Sequence, residues 1–362
     1  MKKVRVMHCL GQLNTGGAET LVMNILRNID SDEFQFDFLL FNEKKGFYDK
    51  EAKELGANLF YTPSISQVGL IKYINELISF FKNQEIDVVH SHMDWQGGFI
   101  AYAAYKAGIN KIVVHSHANQ KIFDNNTVYH LMIKLNQYLI KKYATDCIAC
   151  SNEAGESLFV TKKYKVLYNG IDLQRFIKPN SKIIKELKEE FDIKDNDIIL
   201  GHVGSFSVNK NQSFLIDLLN ELVKMSSNYK LILVGEGNTK EKIYDKVRSL
   251  ALEEHVIFTG VRSEIPEIMH LFDVFLFPSF HEGLGIVAIE AQASGLSCII
   301  SDTIPKEVDL NMGLIHRIPL DKNKWKEAIL KNKPIDINNN LLYNSRFNID
   351  YTIRELTNIY LK

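Results

Sequence analysis

Two carboxylates, Glu282 and Glu290, flank the run Gly283-Leu284-Gly285-Ile286 in this chain of 362 residues, and their types and spacing define a place where chemistry can occur. The glycine-rich turn opens an apolar stretch that reads as a helix, so one acid precedes the helix and the other lies within it, about 12 Å further along the axis if the rise is helical throughout. The amides of Leu284, Gly285 and Ile286 favour an anion, because the first N–H groups of a helix lack intrahelical partners and sit at the positive end of its dipole. A diphosphate on that helix end, with the carboxylates accepting hydrogen bonds from hydroxyls on either side, is what a sugar nucleotide requires. The plainer alternative is a helix entry with a turn glycine and two solvated acids.

This stretch resembles the Glu-x7-Glu signature of the retaining glycosyltransferases of family 4, and other motifs of that family follow in order. Gly16-Gly17-Ala18-Glu19 resembles its GG-[AG]-E turn, which implies that Gly17 lets backbone approach the donor diphosphate. Gly204-Ser205-Phe206-Ser207-Val208-Asn209-Lys210 stands in the place of its G-R-x(4)-K segment, with Lys210 matching and Ser205 replacing the arginine. An arginine fork gives bidentate, permanently charged phosphate contacts; a serine offers a neutral hydrogen bond. Either Arg262 compensates or the helix-end amides carry more of the charge. Gly235-Glu236-Gly237 resembles a close-approach turn, and Gly260-Val261-Arg262-Ser263 falls where relatives contact the nucleotide base largely through backbone. His117 matches the histidine that relatives place beside donor sugar and acceptor.

The resemblance implies an α/β chain of the GT-B fold, with two Rossmann-like, doubly wound parallel-sheet domains facing a cleft and a C-terminal helix crossing back to the first. The expected domains are 1–168 for the acceptor, 169–345 for the nucleotide-sugar donor, and 346–362 for the returning helix. By the same resemblance the enzyme moves a sugar, with retention, from a UDP-sugar to a glycan or lipid-linked oligosaccharide in bacterial surface polysaccharide biosynthesis. Glu282, His117 and Lys210 form its catalytic set. Donor contacts come from Gly17, Ser205, Lys210, Gly235, Arg262, Leu284, Gly285, Ile286 and Glu290. No D-x-D pair stands at a suitable loop, so neither a metal nor another cofactor is expected; the nucleotide sugar is substrate. A GT-B sugar-nucleotide epimerase and an inactive sugar-nucleotide-binding protein are the alternatives.

Those residues need a frame that holds them, and strand and helix signals alternate along the whole length. Apolar, strand-like runs occur at 4–10, 34–41, 88–91, 112–114 and 147–149, with helices expected at 18–27, 67–82 and 97–106. A second series follows the turn signal Tyr168-Asn169-Gly170-Ile171-Asp172. Its strands are expected at 198–203, 231–234, 256–259, 274–277 and 297–300, its helices at 211–225 and 286–293, and an amphipathic terminal helix at 350–361. Asn338-Asn339-Asn340 is the one low-complexity run. His90 and His92 close one strand, His115 and His117 the next. At period two each pair shares a face, so four imidazoles converge at the carboxyl edge of the sheet. A metal site there lacks obvious acids beyond Asp94, and a structural role is the default for His90, His92 and His115.

Composition narrows the classes further. A formal net charge of −1 with 24% charged residues excludes a typical nucleic-acid binder. With no leader before Val4 and no apolar run of about 18 residues, a cytoplasmic protein is expected. Cys147 and Cys150 form a lone C-x-x-C without a second pair, so the four cysteines read as reduced core residues. Residues 101–165 hold nine lysines against four acids, and with the aromatic run 129–143 they suggest a lipid diphosphate acceptor or an anionic membrane surface, with peripheral contact of the N-terminal domain at the inner face of the plasma membrane. The alternative is a helix packed on its own sheet with a solvated lysine face.

Overall fold

The computed structural model describes residues 2–117, 127–332, 342 and 345–362. Lys121, Asp124 and the Asn338-Asn339-Asn340 run lie outside them. The chain divides into two units, residues 1–171 with 346–362, and residues 172–345.

The first unit is built on a parallel sheet of seven strands: β1 (Val4–Leu10), β2 (Phe34–Leu40), β3 (Asn58–Tyr61), β4 (Val88–Ser91), β5 (Lys111–Ser116), β6 (Asp146–Ala149) and β7 (Lys165–Val166), in the order β3-β2-β1-β4-β5-β6-β7. The central strands read as continuous apolar runs because both faces are covered. Met7, Val89, Val114 and Ala149 pack on one face with Phe99 and Ile100 of the helix Gly97–Lys106. Val6, Val88, Val113 and Ile148 point to the other, against Leu21 and Ile25 of the helix Gly17–Asn28.

That second face is completed by the last helix, Ile349–Leu361, which contributes Leu356 and Tyr360. The Asn348 side chain caps it by accepting from Asp350 N at 3.1 Å, and Ile349 N donates to Ile171 O at 3.0 Å. Each of these buried side chains stabilises the unit by about 1.5–3 kcal/mol. All four cysteines are free and buried, and burial pushes the Cys147 and Cys150 thiols up to about 12. They pack as small apolar side chains.

The second unit is a six-stranded parallel sheet, β8 (Ile198–Val203), β9 (Tyr229–Val234), β10 (Val256–Gly260), β11 (Val274–Phe277), β12 (Ser297–Ser301) and β13 (Ile315–Ile318), in the order β10-β9-β8-β11-β12-β13. The second unit therefore runs 3-2-1-4-5-6, the doubly wound order, and the first runs the same way with a seventh strand added at the edge.

Three strands lie outside the sequence expectation: β3, β7 and β13. All are edge strands with partly exposed side chains, so the continuous apolar signal of a central strand is missing. The expected helix over 67–82 is broken. Gly69 adopts φ 76°, ending a single turn, Ile65–Val68, and the longer helix Leu70–Lys82 starts after it. Among the described residues, no helix is long and apolar enough to cross a membrane.

Candidate active site

In the second unit the strand order reverses between β8 and β11, and the loops leaving the carboxyl ends of these neighbours border the crevice where open α/β sheets bind ligands. After β8 the chain passes through Gly204 and Ser205 into a short turn, Val208–Lys210, and Asn211 takes a left-handed φ of 55° to start the helix Gln212–Val223. Three bonds lace this loop to the one after β11. Asn209 Nδ2 donates to His281 O at 2.6 Å, Asn211 Nδ2 to Pro278 O at 3.3 Å, and Phe280 N to Asn209 O at 2.9 Å. The lacing brings Lys210 Nζ to 2.6 Å from Glu282 Oε1, with the two side chains only 18% and 13% exposed. The same ammonium lies 5.1 Å from the centre of the Phe277 ring.

Gly285 then turns the chain into the helix Ile286–Ala293 with φ 90° and ψ 51°, a conformation that costs other residues energy. As the N-cap it has no side chain to offer, so the amides of the first turn receive no capping oxygen from it. A helix N-terminus facing a lysine can neutralise an anion by fixed dipoles on one side and a mobile charge on the other. On the far side of the β8 loop, a side chain on Gly235 (φ 136°) would place its Cβ 2.2 Å from Gly204 O, so this turn is a close-approach element for backbone. Ser205 is exposed, and its carbonyl is held by Gln212 Nε2 at 2.9 Å. Gln212 in turn faces Nε2 of buried His202, whose Nδ1–H donates to Leu276 O at 2.9 Å. Burial lowers the His202 imidazole to about 4, so it stays neutral.

Glu290 lies one turn into the helix, on its partly exposed side, and desolvation pushes its carboxyl up to about 7 against the opposing pull of Arg175. Arg262, the candidate substitute for the missing arginine, has its fork occupied. Its two terminal nitrogens donate to Glu190 at 2.8 and 2.9 Å, one also reaches Glu264 at 3.4 Å, and the guanidinium lies over Phe191. The D-x-D run Asp195-Asn196-Asp197 precedes β8, at the amino end of the sheet, where Asp197 pairs with Lys230 at 3.1 Å.

In the first unit the reversal falls between β1 and β4. The loop after β1 ends at exposed Gly17, where an added Cβ would meet only Asn169 Nδ2, at 3.8 Å, so the chain itself leaves space there. His90, His92, His115 and His117 do converge at the carboxyl edge, and a fifth imidazole, His8 on β1, joins them. His8 Nδ1 contacts His92 Nε2 at 3.0 Å and His92 Nδ1 contacts His117 Nε2 at 2.8 Å, a chain of three rings. His90 Nδ1 is tied to the Tyr360 hydroxyl at 2.7 Å. Burial is the leading reason that all five are held far below the usual imidazole range, His8 and His117 at about 3. At neutral pH each is uncharged, with one lone pair and one N–H. The backbone N–H of His117 donates to Asp94 Oδ1 at 2.9 Å.

Comparison with known proteins matches these two units to two family models. Residues 15–175 match Glycosyltransferase Family 4, and residues 183–329 match Glycosyl transferases group 1. EpsF of Bacillus subtilis (strain 168), a glycosyltransferase by assignment, is 39% identical over 90% of this chain and 87% of its own. The chain belongs to the family 4 glycosyltransferases. CapH of Staphylococcus aureus, a capsular polysaccharide biosynthesis glycosyltransferase, is 27% identical with 99% of each chain covered. Among solved structures, Anabaena HepE in complex with UDP and glucose superimposes with a TM-score of 0.79 at 20% identity, covering 98% of both chains. This glycosyltransferase therefore has the GT-B fold.

Sequence reasoning assigned Lys210 and Glu282 of this glycosyltransferase to separate tasks and missed their pairing, because the loop bonds through Asn209 and Asn211 carry no motif. His8 was missed as well. Its only signal was a histidine in the apolar second half of the strand, in register with His90.

Proposed function

We propose that this glycosyltransferase transfers a sugar from a UDP-sugar, with retention and without a divalent cation at the diphosphate, to a glycan or lipid-linked acceptor in bacterial surface polysaccharide assembly. The observation that carries this reading is the Lys210–Glu282 pair beside the uncapped start of the helix Ile286–Ala293. A leaving diphosphate gains charge as the glycosidic bond breaks. Amides of Leu284, Gly285 and Ile286, fixed in place, stabilise that charge without reorganising, and the Lys210 ammonium adds its charge once it turns from Glu282 to the phosphate.

The remaining roles follow the family resemblance and the chemistry of each group. Glu282 accepts from sugar hydroxyls once Lys210 turns to phosphate, and Glu290 accepts from ribose hydroxyls. Gly17 and Gly235 allow backbone to come close to the donor, Ser205 adds a neutral hydrogen bond, and His117 positions sugar or acceptor. Arg262 serves the shape of the base loop through its carboxylate partners instead of binding phosphate. CapH supports the polysaccharide assignment, and the UDP bound by HepE supports the nucleotide. Acceptor handling belongs to the first unit, where exposed Leu131, Leu135 and Tyr138 follow one another along a helix that also exposes Lys134, Lys141 and Lys142. That face suits a lipid-linked acceptor at an anionic bilayer surface.

The test is to incubate the chain with a panel of nucleotide sugars and undecaprenyl-diphosphate-linked acceptors in EDTA, and to read the product linkage by NMR. A product that keeps the anomeric configuration is expected. Inversion would overturn retention, and activity that returns only with magnesium or manganese would overturn the metal-free site. Donor turnover without acceptor would identify an epimerase, and donor binding without turnover a sugar-nucleotide sensor.

A further inference from the structure

We propose that, in the chain free of donor sugar and acceptor, His92, His115 and His117 form a binding site for a late first-row divalent cation of the zinc type, so that His117 serves either the ion or the sugar. The carboxyl ends of β4 and β5 lie side by side and gather the three rings, with centroids 4.1 Å apart for His115 and His117, 5.1 Å for His92 and His117, and 5.5 Å for His92 and His115. One ring nitrogen from each lies within 4.8 Å of the other two.

The hydrogen bonding around these rings is incomplete in a specific way. His115 is fully buried, and neither of its ring nitrogens has a hydrogen-bond partner; His117 Nδ1 has none either. A neutral imidazole always carries one donor and one acceptor, and burying both unpaired is costly. A cation satisfies the acceptor outright.

His92 also has the supporting contact that metal-bound histidines need. Its Nε2 meets His8 Nδ1, so with Nδ1 turned to the metal the other ring nitrogen remains hydrogen-bonded.

The donor set decides the ion. Three imidazole nitrogens select zinc, copper or nickel over magnesium and calcium, which take oxygen ligands. Tetrahedral coordination at about 2.0–2.1 Å places ligand nitrogens roughly 3.3 Å apart. The 2.8 Å contact between His92 and His117 therefore opens by about half an ångström, and the wider separations close. His117 is only partly buried and provides the way in. A second triad, His8, His90 and His92, is buried throughout and shares one ligand, so the two sites exclude each other.

The experiment uses the full-length, untagged chain, stripped with EDTA and titrated with Co2+ as a visible probe for Zn2+. One Co2+ per chain is expected, with the d–d absorption of a tetrahedral nitrogen site, displaced by Zn2+ and unaffected by Mg2+. Zn2+ should raise the melting temperature. His115→Phe fills the ring volume and removes a ligand, and His117→Ala removes a ligand from the partly exposed side; each should weaken Co2+ binding by at least ~100-fold. Circular dichroism without metal checks that both variants fold. Absence of a Co2+ spectrum and of a Zn2+-dependent melting shift in the native chain would overturn the proposal, leaving buried water as the partner of His115. Binding retained in both variants would also overturn it and move the metal to His8 and His90.

Discussion

Lys210 and Glu282, 72 residues apart in sequence, meet at 2.6 Å as a largely buried ion pair. Each satisfies the other before any ligand arrives, so a diphosphate must compete with the carboxylate for the ammonium. Replacing Glu282 by Gln frees the lysine without changing shape. We expect E282Q to bind UDP several-fold more tightly while transfer slows, a split that titration calorimetry and steady-state kinetics would measure. Weaker UDP binding in E282Q would show that the pair does not open to phosphate.

The complementary variant is Lys210→Ala. With serine at position 205 and the Arg262 fork held by Glu190, this lysine is the main mobile cation proposed for the leaving group. Turnover should fall by at least ~100-fold, the scale of losing a donor aimed at transition-state charge. Near-native turnover would show that the helix amides suffice.

Glu290 should make donor binding pH-dependent. Burial raises its carboxyl to about 7, so the ionised form that accepts from two hydroxyls with both oxygens dominates above pH 7 and is lost below it. Donor affinity should therefore fall as pH drops from 8 to 6, by up to about tenfold one pH unit below the midpoint. A UDP-sugar, titrated calorimetrically against the native chain and Glu290→Gln, separates this carboxyl from other ionisations. Identical pH profiles for the two proteins would remove Glu290 from the donor site.

His202 should show in the acid limb of stability. Its folded imidazole titrates at about 4 while an unfolded one titrates at 6.5, so the folded state resists protonation. Its contribution is fully present above pH 6.5 and is lost as pH falls through 4, about 3 kcal/mol in all. In His202→Gln, the dependence of unfolding free energy on pH between 6.5 and 4 should lose the equivalent of one proton. An unchanged slope from urea titrations would contradict the burial argument.

The exposed row Leu131, Leu135 and Tyr138 should attach the chain to bilayers. Vesicles containing phosphatidylglycerol should sediment the native chain at low salt and release it as salt rises. A variant with Leu131→Ser and Tyr138→Ser should stay in the supernatant with native circular dichroism. Equal sedimentation of both proteins would place membrane contact elsewhere or nowhere.

Much of this fold was legible because central parallel strands announce themselves. Val274 to Phe277 is buried on both faces, and its apolar run is as visible in sequence as in space. Edge strands lack that constraint. Ile315–Ile318 carries His316 and Arg317, one exposed and one half-buried, and hides among loops. Gly69 reads as an interruption that a helix can tolerate until its positive φ is known. The site was legible as a set of residue types, since a turn glycine, a helix start and a lysine each have their own chemistry. Which partner each group takes was not legible. The carboxylate that holds the Arg262 fork could not be read, because Glu190 is 72 residues distant, on a helix end that no motif marks.

The helix Ile349–Leu361 completes the hydrophobic face of the first unit although residues 172–345 separate it from the rest of that unit. On a ribosome, residues 172–345 emerge as one uninterrupted stretch, whereas the first unit lacks this helix until they have been made. Until then the groove destined for Leu356 and Tyr360 stays open to water, and His90 lacks its hydroxyl partner. The first unit is thus the later of the two to complete its core, and removing the helix Ile349–Leu361 should destabilise the amino-terminal unit more than the unit that precedes this helix in sequence.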